Sequence, residues 1–341
     1  MGAETTRIAV VGAGSWGTAI AHLLGEKGYG VDLWAYEPAV KQCIEEGREN
    51  RMFLPGIRLP ETVVPSNDLA AVVSGKQILV FVVPSHVMRA VSSRASAHID
   101  PGAFVVTASK GIENQTHLTM SGVLKETLPP AAAPRISVLS GPSFATEVAQ
   151  KMPTVVTVAS VEHSAAAYIQ NVFATPYFRV YTNDDLIGVE LGGAVKNVIA
   201  IASGIVDGLG LGLNTRAALI TRGLAEIRRL GINLGANPHT FAGLAGIGDL
   251  LLTCTGSLSR NHTVGQKIGE GKSLHEILAE MNMVAEGVKT SKSVYNLSRK
   301  LGVDMPISHS VYAVLYEDLS PVDGVYQLMT RDLKDEMLDV R

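Results

Sequence analysis

The sequence predicts an α/β protein, with an N-terminal doubly wound domain followed by an all-helical C-terminal domain. Three observations predict this fold class. Short β-rich runs alternate with amphipathic stretches up to about Asn183, the strand pattern stops after that residue, and a glycine-rich turn joins the first strand to the first helix. The chain has 341 residues, which suffices for two domains, and we predict them at 1–183 and 184–341.

The predicted strands are rich in β-branched residues, and the stretches between them carry apolar residues at helical spacing. This alternation indicates a parallel sheet that helices cover on both faces. The predicted strands are Ile8–Val11, Val31–Trp34, Ile78–Val83, Phe104–Thr107, Ile136–Leu139, Thr154–Val158 and Phe178–Tyr181.

The second half of the chain shows apolar spacing typical of helices and no further strand pattern. Asn183-Asp184-Asp185 combines a turn with a helix start, which is why the boundary is placed there. The predicted helices are Leu186–Val206, Thr215–Leu230, a segment after Asp249, Ser273–Met281, Lys289–Leu301 and Ile307–Tyr316.

Charge is nearly balanced, with 29 Lys and Arg against 32 Asp and Glu. That balance leaves no basic field for nucleic acid or an anionic membrane, so neither is expected as a partner. The two cysteines, Cys43 and Cys254, are too few for a disulfide framework, which favours a cytoplasmic location. No metal-site spacing of His or Cys occurs. The apolar run Ile78–Val83 is far shorter than the roughly 20 residues of a membrane span.

Gly12-Ala13-Gly14-Ser15-Trp16-Gly17 forms a G-x-G-x-x-G fingerprint directly after the first predicted strand and directly before a helix. In a Rossmann-like domain, Gly12 allows the tight turn, Gly14 admits a dinucleotide pyrophosphate, and Gly17 lets the helix lie close to its strand. A turn that serves packing alone is the alternative. The strand and helix around the motif favour dinucleotide binding.

The end of the second strand bears on the choice between NAD and NADP. Glu37 stands where a carboxylate can accept hydrogen bonds from the ribose, although it could also just start a solvated helix. NADP recognition needs a cation near the 2′-phosphate, and Tyr36 brings none, while Arg48 and Arg51 follow later in the chain. We therefore expect NAD or NADP to be accepted, with NADH at least as good as NADPH.

Ligands of open α/β sheets bind beyond the carboxyl ends of the strands, so polar residues at these ends are candidates for substrate binding. Lys110 follows a buried strand, where its positive charge suits an anionic substrate, and a lysine that is merely solvated is the alternative. Ser85 and Ser143 could equally be helix caps. The candidates lie in Pro84-Ser85, Ser109-Lys110-Gly111 and Gly141-Pro142-Ser143.

Leu191–Ala200 is an apolar stretch of small residues with one lysine, Lys196. Gly192 and Gly193 each cost roughly 1 kcal/mol relative to Ala within a helix, so another part of the chain should approach this backbone closely. Desolvation would lower the pKa of the Lys196 ammonium towards neutrality and suit it to proton transfer. A lysine that extends to the surface is the alternative.

Two further segments carry polar groups suited to a phosphorylated substrate. Gly246-Ile247-Gly248-Asp249 presents a carboxylate that either caps a helix or holds a catalytic lysine. Ser259-Arg260-Asn261-His262 offers a guanidinium and several donors, which suit a phosphate, or else it is an ordinary polar loop.

Taken together, these segments resemble the soluble bacterial type of NAD(P)-dependent glycerol-3-phosphate dehydrogenase, and the resemblance covers nearly the whole chain. The order and spacing of the motifs carry it, although the family often has Arg or His where Tyr36 stands. The matching segments are Gly12–Thr18, Val82–His86, Ser109–Gly111, Ser140–Ala145, Leu191–Ala200, Gly246–Thr255, Ser259–Asn261 and Val284–Gly287.

The resemblance implies roles for individual residues. Lys196 would transfer the proton, with Asp249 orienting it. The phosphorylated triose would be bound by Lys110, Gly141, Ser143, Asp249, Ser259, Arg260 and Asn261. The fingerprint and the end of the second strand already indicate Gly12, Gly14, Gly17 and Tyr36 for the dinucleotide, and the resemblance adds Ser15, Trp16, Lys110, Ala145, Arg260, Val284 and Glu286.

The implied reaction reduces dihydroxyacetone phosphate to sn-glycerol 3-phosphate with NADH or NADPH, reversibly, and supplies the backbone of phospholipids. A 3-hydroxyacid or ketopantoate type of dehydrogenase with the same architecture is one alternative, and it would need a carboxylate site instead of a phosphate site. A catalytically silent dinucleotide-binding sensor is another. The oligomeric state stays open, with a homodimer as one option.

Overall fold

The structure is a computed structural model that describes residues 6–281 and 285–336, and it divides into two compact units. The first, here called the sheet unit, comprises Met1–Ser109 and Met120–Leu186. The second, the helical unit, comprises Lys110–Thr119 and Ile187–Arg341. Lys110–Thr119 thus groups with the helical unit, although the predicted domain 1–183 includes it. The domain limits themselves stay a prediction.

The sheet unit contains one eight-stranded sheet in the order β3-β2-β1-β4-β5-β6-β7-β8. This is the doubly wound arrangement, in which the strand order reverses between β1 and β4. The strands are β1 Arg7–Val11, β2 Gly30–Trp34, β3 Val63–Ser66, β4 Ile78–Phe81, β5 Phe104–Thr107, β6 Ile136–Ser140, β7 Thr154–Ser160 and β8 Phe178–Asn183. The helices are α1 Ser15–Glu26, α2 Pro38–Gly47, α3 Leu69–Val73, α4 Met88–Ser96, α5 Met120–Thr127, α6 Ala145–Ala149 and α7 His163–Phe173.

The predicted α/β fold class is confirmed, with two differences in the sheet. Strand β3 is absent from the prediction because it is short, contains Pro65 and pairs only with β2, at the edge of the sheet. The expectation of a wholly parallel sheet is wrong at one pair, since β7 runs antiparallel to β6. Apolar patterning reports burial on both faces and carries no information on strand direction.

The helical unit contains helices throughout the second half of the chain, as the sequence predicts. They are α8 Leu186–Gly208, which begins at the boundary, α9 Gly212–Asn233, α10 Asp249–Thr255, α11 Arg260–Gly269, α12 Leu274–Glu280, α13 Glu286–Leu301, α14 Pro306–Tyr316 and α15 Pro321–Met329. The prediction lacks α11 and α15. The sequence of α11 opens with polar residues and has few apolar positions, so little apolar surface marks it as a helix.

Helix α8 lies in the core of this unit. A Cβ added to Gly192 would overlap the carbonyl oxygen of Ala245, so the predicted close approach to this backbone is confirmed. In the described part of the chain, α8 is the one helix long and apolar enough to cross a membrane, with a mean hydropathy of 1.5. Polar residues such as Glu190, Lys196 and Asn197 interrupt this helix, so the length of uninterrupted apolar runs does not reveal it. The whole apolar window is buried within the protein, which is the position of a core helix.

Candidate functional site

Two glycines of the fingerprint are required by the protein's own packing. Gly12 has φ of +119°, and a Cβ added there would lie 2.7 Å from the carbonyl oxygen of Val82. A Cβ on Gly17 would overlap the carbonyl oxygen of Gly12. The tight turn and the close approach of helix to strand that the sequence predicts are therefore both present.

Gly14 differs, because no protein atom lies within 4 Å of the position that a Cβ would occupy there. It stands at the N-cap of α1 with φ of −70°, which any residue can adopt, and its cap has no side-chain hydrogen bond. Protein packing therefore does not explain this glycine. An open helix N-terminus beside a glycine is the arrangement that a dinucleotide pyrophosphate requires, so these residues fit the predicted cofactor.

Neighbouring side chains hold the fingerprint turn in place. The Ser15 hydroxyl donates a hydrogen bond to the carbonyl oxygen of Phe53 at 2.6 Å. The buried Asn50 amide donates to the Ala13 carbonyl and to the Thr18 hydroxyl, each at 2.8 Å. Sequence reasoning missed Asn50, because it belongs to no motif and only the fold brings it to the turn. Trp16 and Ala145, both predicted to line the dinucleotide, pack on one small apolar cluster.

The end of β2 exposes the residues predicted to discriminate between cofactors. Tyr36 is 72% exposed, and its ring meets that of Trp34 edge to face at 6.1 Å. Glu37 stands at the N-cap of α2 and makes no side-chain cap bond. An exposed phenol ring and a partly exposed carboxylate therefore follow this strand, and neither carries positive charge.

Gly141 and Ser143 form a tight turn after β6. Gly141 has φ of +142°, and a Cβ there would lie 2.9 Å from Val156 Cα, so only glycine fits. The Ser143 hydroxyl donates to the Gly141 carbonyl at 3.0 Å. Both residues belong to the sheet unit, whereas the other predicted substrate residues lie in the helical unit.

A cluster of two lysines and one aspartate lies within the helical unit. Asp249 begins α10, and one of its carboxylate oxygens accepts from Lys110 Nζ at 2.6 Å, while the other accepts from Lys196 Nζ. Lys196 also donates to the Thr253 hydroxyl at 2.7 Å, and that hydroxyl donates to the Asp249 carbonyl at 2.6 Å. Sequence reasoning missed Thr253. The only available indication was its position one turn after Asp249 on the same helix.

Burial determines the electrostatics of this cluster. Lys196 is only 6% exposed, so the alternative of a lysine that extends to the surface is wrong. Desolvation lowers the pKa of Lys196 to about 7, opposed by the negative charge of Asp249 and assisted by the positive charge of Lys110. A lysine with this pKa can donate or accept a proton near neutral pH, which is the chemistry predicted from the apolar surroundings.

The segment Ser259–His262 forms the start of a helix, so the alternative of an ordinary polar loop is wrong. Ser259 is the N-cap of α11 and accepts from the backbone N–H of His262. The side chain of Asn261 is buried, where it donates to Asn197 Oδ1 and accepts from the backbone N–H of Gly287, each at 2.9 Å. Asn261 therefore ties α11 to α8 and α13, and a ligand would meet its backbone rather than its amide group.

Arg260 is the first residue of α11, and it is exposed. The protein surrounding its guanidinium lowers the pKa of Arg260, and the charge of Glu286 opposes this effect. The guanidinium nevertheless stays charged at neutral pH. Glu286, also predicted to line the dinucleotide, begins α13 in the same unit. Val284, predicted for the same role, lies outside the described residues.

Among residues 6–281 and 285–336, no group of three His, Cys, Asp or Glu side chains could hold a metal ion. Cys254 is buried, and burial raises the pKa of its thiol to about 12, so it stays protonated. Lys110, Lys196 and Arg260 supply cationic groups suited to proton transfer and anion binding in the helical unit.

Comparison with known proteins gives consistent matches over the whole chain. Residues 7–166 match the family model of the NAD-dependent glycerol-3-phosphate dehydrogenase N-terminus, and residues 185–326 match that of the C-terminus. A Geobacter metallireducens protein named glycerol-3-phosphate dehydrogenase (NAD(P)+) is 58% identical over 330 residues, which cover 97% of this chain and 98% of that protein.

Solved structures agree with these matches. The crystal structure of glycerol-3-phosphate dehydrogenase from Coxiella burnetii is 40% identical, with a TM-score of 0.91, and the match covers 96% of this chain and 99% of that one. Glycerol-3-phosphate dehydrogenase from Saccharomyces cerevisiae is 30% identical with a TM-score of 0.80, covering 95% of this chain and 99% of that one.

Proposed function

The chain belongs to the NAD-dependent glycerol-3-phosphate dehydrogenase family, and from that premise we propose how its residues reduce dihydroxyacetone phosphate to sn-glycerol 3-phosphate. It is an NAD(P)-dependent oxidoreductase. We propose that its product supplies the glycerol backbone of phospholipids. Membership of this family argues against the two alternatives, a ketopantoate-type dehydrogenase and a catalytically silent dinucleotide-binding sensor. The observation that carries the mechanism is the buried cluster of Lys110, Lys196 and Asp249.

Lys196 is the proton donor in this mechanism. When bound, the reduced nicotinamide supplies a hydride to the ketone carbon of the substrate. Lys196 Nζ donates a proton to the ketone oxygen as negative charge develops there, and it takes the proton back in the reverse reaction. Its pKa of about 7 suits both directions. Asp249 and Thr253 orient the ammonium through their hydrogen bonds.

Arg260 and the start of α11 bind the substrate phosphate. A guanidinium makes short, charge-assisted bonds to phosphate oxygens, and a helix N-terminus favours negative charge. Binding energy from the phosphate then aligns the ketone for reaction, because a substrate held at its remote end loses less entropy in the transition state. Lys110, Gly141 and Ser143 complete the proposed substrate set.

A single assay tests this proposal. We expect purified protein to oxidise NADH or NADPH rapidly with dihydroxyacetone phosphate and almost not at all with unphosphorylated dihydroxyacetone. Arg260→Ala should mainly raise KM for the phosphorylated ketone and leave kcat close to wild type, because a binding contact is lost. Equal rates with the two ketones, or an unchanged KM in Arg260→Ala, would contradict the proposed phosphate-binding site.

Cofactor preference depends on whether a cation reaches the ribose 2′-phosphate. The Arg48 guanidinium donates to the carbonyl oxygens of Pro60 and Val63, so backbone contacts already occupy it. The Arg51 side chain is 66% exposed and lies 3.6 Å from a carboxylate oxygen of Glu49. Of Arg48 and Arg51, Arg51 is the one with freedom to turn towards a ligand.

We propose that NADH is used at least as well as NADPH. The expected measurement is a kcat/KM for NADH that equals or exceeds that for NADPH, and Arg51→Ala should leave the ratio unchanged. A preference for NADPH above about tenfold, worth roughly 1.4 kcal/mol, would contradict the proposal. A fall of that preference in Arg51→Ala would then identify the cation.

The location, the partners and the oligomeric state of the protein stay predictions. We propose a cytoplasmic location with no insertion into membranes and no binding of nucleic acid, supported by the balanced charge and by the burial of α8. A homodimer is one option for the oligomeric state. Size-exclusion chromatography with light scattering measures that state directly, and a mass of one chain would exclude the dimer.

A further inference from the structure

The position of Lys110 depends on how the segment Lys110–Thr119 is fastened within the helical unit. Lys110 is the first residue of this segment and contacts Asp249 at its ammonium group. Two residues later, the side chain of Ile112 is buried in the apolar core that also contains residues of α8 and α13. Burial of an apolar side chain is favourable in many orientations, because the hydrophobic effect is not directional. A hydrogen bond, which is directional, is therefore needed to fix the orientation of the segment.

Ser293, on α13, supplies that directional contact. Its fully buried hydroxyl donates to the backbone carbonyl of Ile112 at 2.8 Å and lies 2.9 Å from Asn114 Oδ1. The carbonyl of Lys289, one turn earlier on α13, is further away at 3.5 Å. A buried carbonyl without a partner is costly, so the Ile112 carbonyl ties the segment to this position.

The segment is braced internally, so that a shift at one end is transmitted to the other. Ile112 and Thr119 form an antiparallel bridge. The backbone N–H of Glu113 donates to the Leu118 carbonyl at 2.9 Å, and the Thr116 hydroxyl donates to the Glu113 carboxylate at 2.5 Å. These contacts close a compact loop, and Lys110 lies just before it.

We propose that Ser293 is a positioning residue that holds Lys110 against Asp249 by fixing the Ile112 carbonyl. This inference rests on the proposed roles of Lys110 and Lys196. Ser293 contacts neither of the two lysines in the contacts described, and it acts through the backbone of the segment. Its loss should therefore change the reaction through Lys110 and not through the substrate directly.

Displacing Lys110 has a consequence for proton transfer that a purely structural role would not produce. The groups that act on the Lys196 ammonium are Asp249, which raises its pKa, and Lys110, which lowers it. The nearby Cys254 thiol is uncharged because burial raises its pKa to about 12. Moving Lys110 away therefore raises the pKa of Lys196, and ketone reduction, which needs the ammonium, should persist to higher pH.

The test compares Ser293→Ala with Ser291→Ala. Ser291 is also fully buried on α13, but its hydroxyl donates within the helix, to the Val288 carbonyl at 2.7 Å. We expect Ser293→Ala to lower kcat/KM for dihydroxyacetone phosphate on the order of tenfold, as small misplacements do, and to move the alkaline limb of the kcat profile to higher pH. Ser291→Ala should resemble wild type in both measurements.

A second measurement separates this proposal from the proposed function. If Ser293 acts through Lys110, Ser293→Ala should cause little further loss of kcat/KM in a Lys110→Met background. A full tenfold loss in both backgrounds, or an unshifted pH profile, would overturn the positioning role. A Lys110→Met enzyme with normal kcat and KM would instead overturn the proposed function of that lysine.

Ser293→Ala could destabilise the unit, so a milder variant keeps the test decisive. Ser293→Cys nearly keeps the size of the side chain, but a thiol is only a weak hydrogen-bond donor to the Ile112 carbonyl. We expect a change of kcat/KM and of the pH profile in the same direction but smaller, at a Tm close to wild type. Wild-type values for both quantities in a folded Ser293→Cys enzyme, together with an unfolded Ser293→Ala, would reject the proposal.

Discussion

Two buried carboxylates in the helical unit have nearly the same burial and very different partners. Asp249 is 1% exposed and accepts hydrogen bonds from the ammonium groups of Lys110 and Lys196. Glu226, on α9, is 2% exposed and accepts from the backbone N–H groups of Ile307 at 2.6 Å and of Ser308 at 3.0 Å. The Ser308 hydroxyl donates to it as well, at 2.8 Å.

The difference teaches that burial alone does not identify a functional carboxylate. Glu226 accepts hydrogen bonds from backbone N–H groups at the N-terminus of α14, and a backbone amide is too weak an acid to act as a proton donor to a substrate, so its contacts satisfy a helix end. Asp249 meets ammonium protons, one of which belongs to a lysine with a pKa of about 7. The contacts of Glu226 therefore serve a helix end, whereas those of Asp249 orient a lysine that can exchange a proton near neutral pH.

The largest expected effect is on catalysis at the Asp249 cluster. Lys196→Met should lower kcat by on the order of 10² to 10⁴, which is the usual contribution of a general acid, while affinity for the dinucleotide stays close to wild type. Steady-state kinetics and cofactor titration measure both. Lys272→Met is the control, since that lysine pairs with Glu280 at the surface of the same unit. A nearly normal kcat would assign proton transfer to Lys110 or to water.

Glu226→Ala should instead change stability and leave kcat close to wild type. Truncation leaves the Ile307 and Ser308 amides without their acceptor and creates a cavity, at a cost of on the order of 3 kcal/mol in the free energy of unfolding. Denaturant titration measures this cost. Glu280→Ala, at the exposed carboxylate, should change stability little. If Glu226→Ala lowered kcat as strongly as Lys196→Met does, the assignment of Glu226 to a structural role would be wrong.

The pH dependence of stability sharpens the same contrast. Desolvation raises the pKa of Glu226 from 4.5 to about 7, although its bonds from Ile307 and Ser308 oppose this shift. A raised pKa means that the folded state binds more protons than the unfolded chain, so this contribution is fully present below about pH 4.5 and is lost as pH rises through about 7. In Glu226→Gln, which does not titrate, that decline should disappear.

The smallest expected effect is a displaced pH profile in Asp249→Asn. The charge of Asp249 raises the pKa of Lys196, so its removal should lower that pKa further and move the alkaline limb of ketone reduction to lower pH. At a pH above the pKa, lowering the pKa by about one unit lowers the fraction of Lys196 in the ammonium form about tenfold. Displacement to higher pH would show that Asp249 does not stabilise the ammonium.

Local patterns explain most of what could be predicted. The strand runs, the glycine fingerprint and the apolar stretch around Lys196 each reflect short-range geometry or burial, and the fold class follows from their order. Burial predicted the direction of the Lys196 pKa shift without any knowledge of its neighbours. Asn50, Thr253 and Ser293 have no such pattern, because a single polar side chain at a helix or loop position gives no periodic signal.

By itself, the sequence determined the α/β class, the dinucleotide fingerprint and the family, since these depend on spacing along the chain. Only the tertiary structure decided which residues meet. Lys110 and Asp249 are far apart in the sequence and lie 2.6 Å apart at their charged atoms. It also assigned Glu226 to a helix end and Asp249 to the lysines. Long-range contacts depend on how helices pack, and local preferences do not encode that packing.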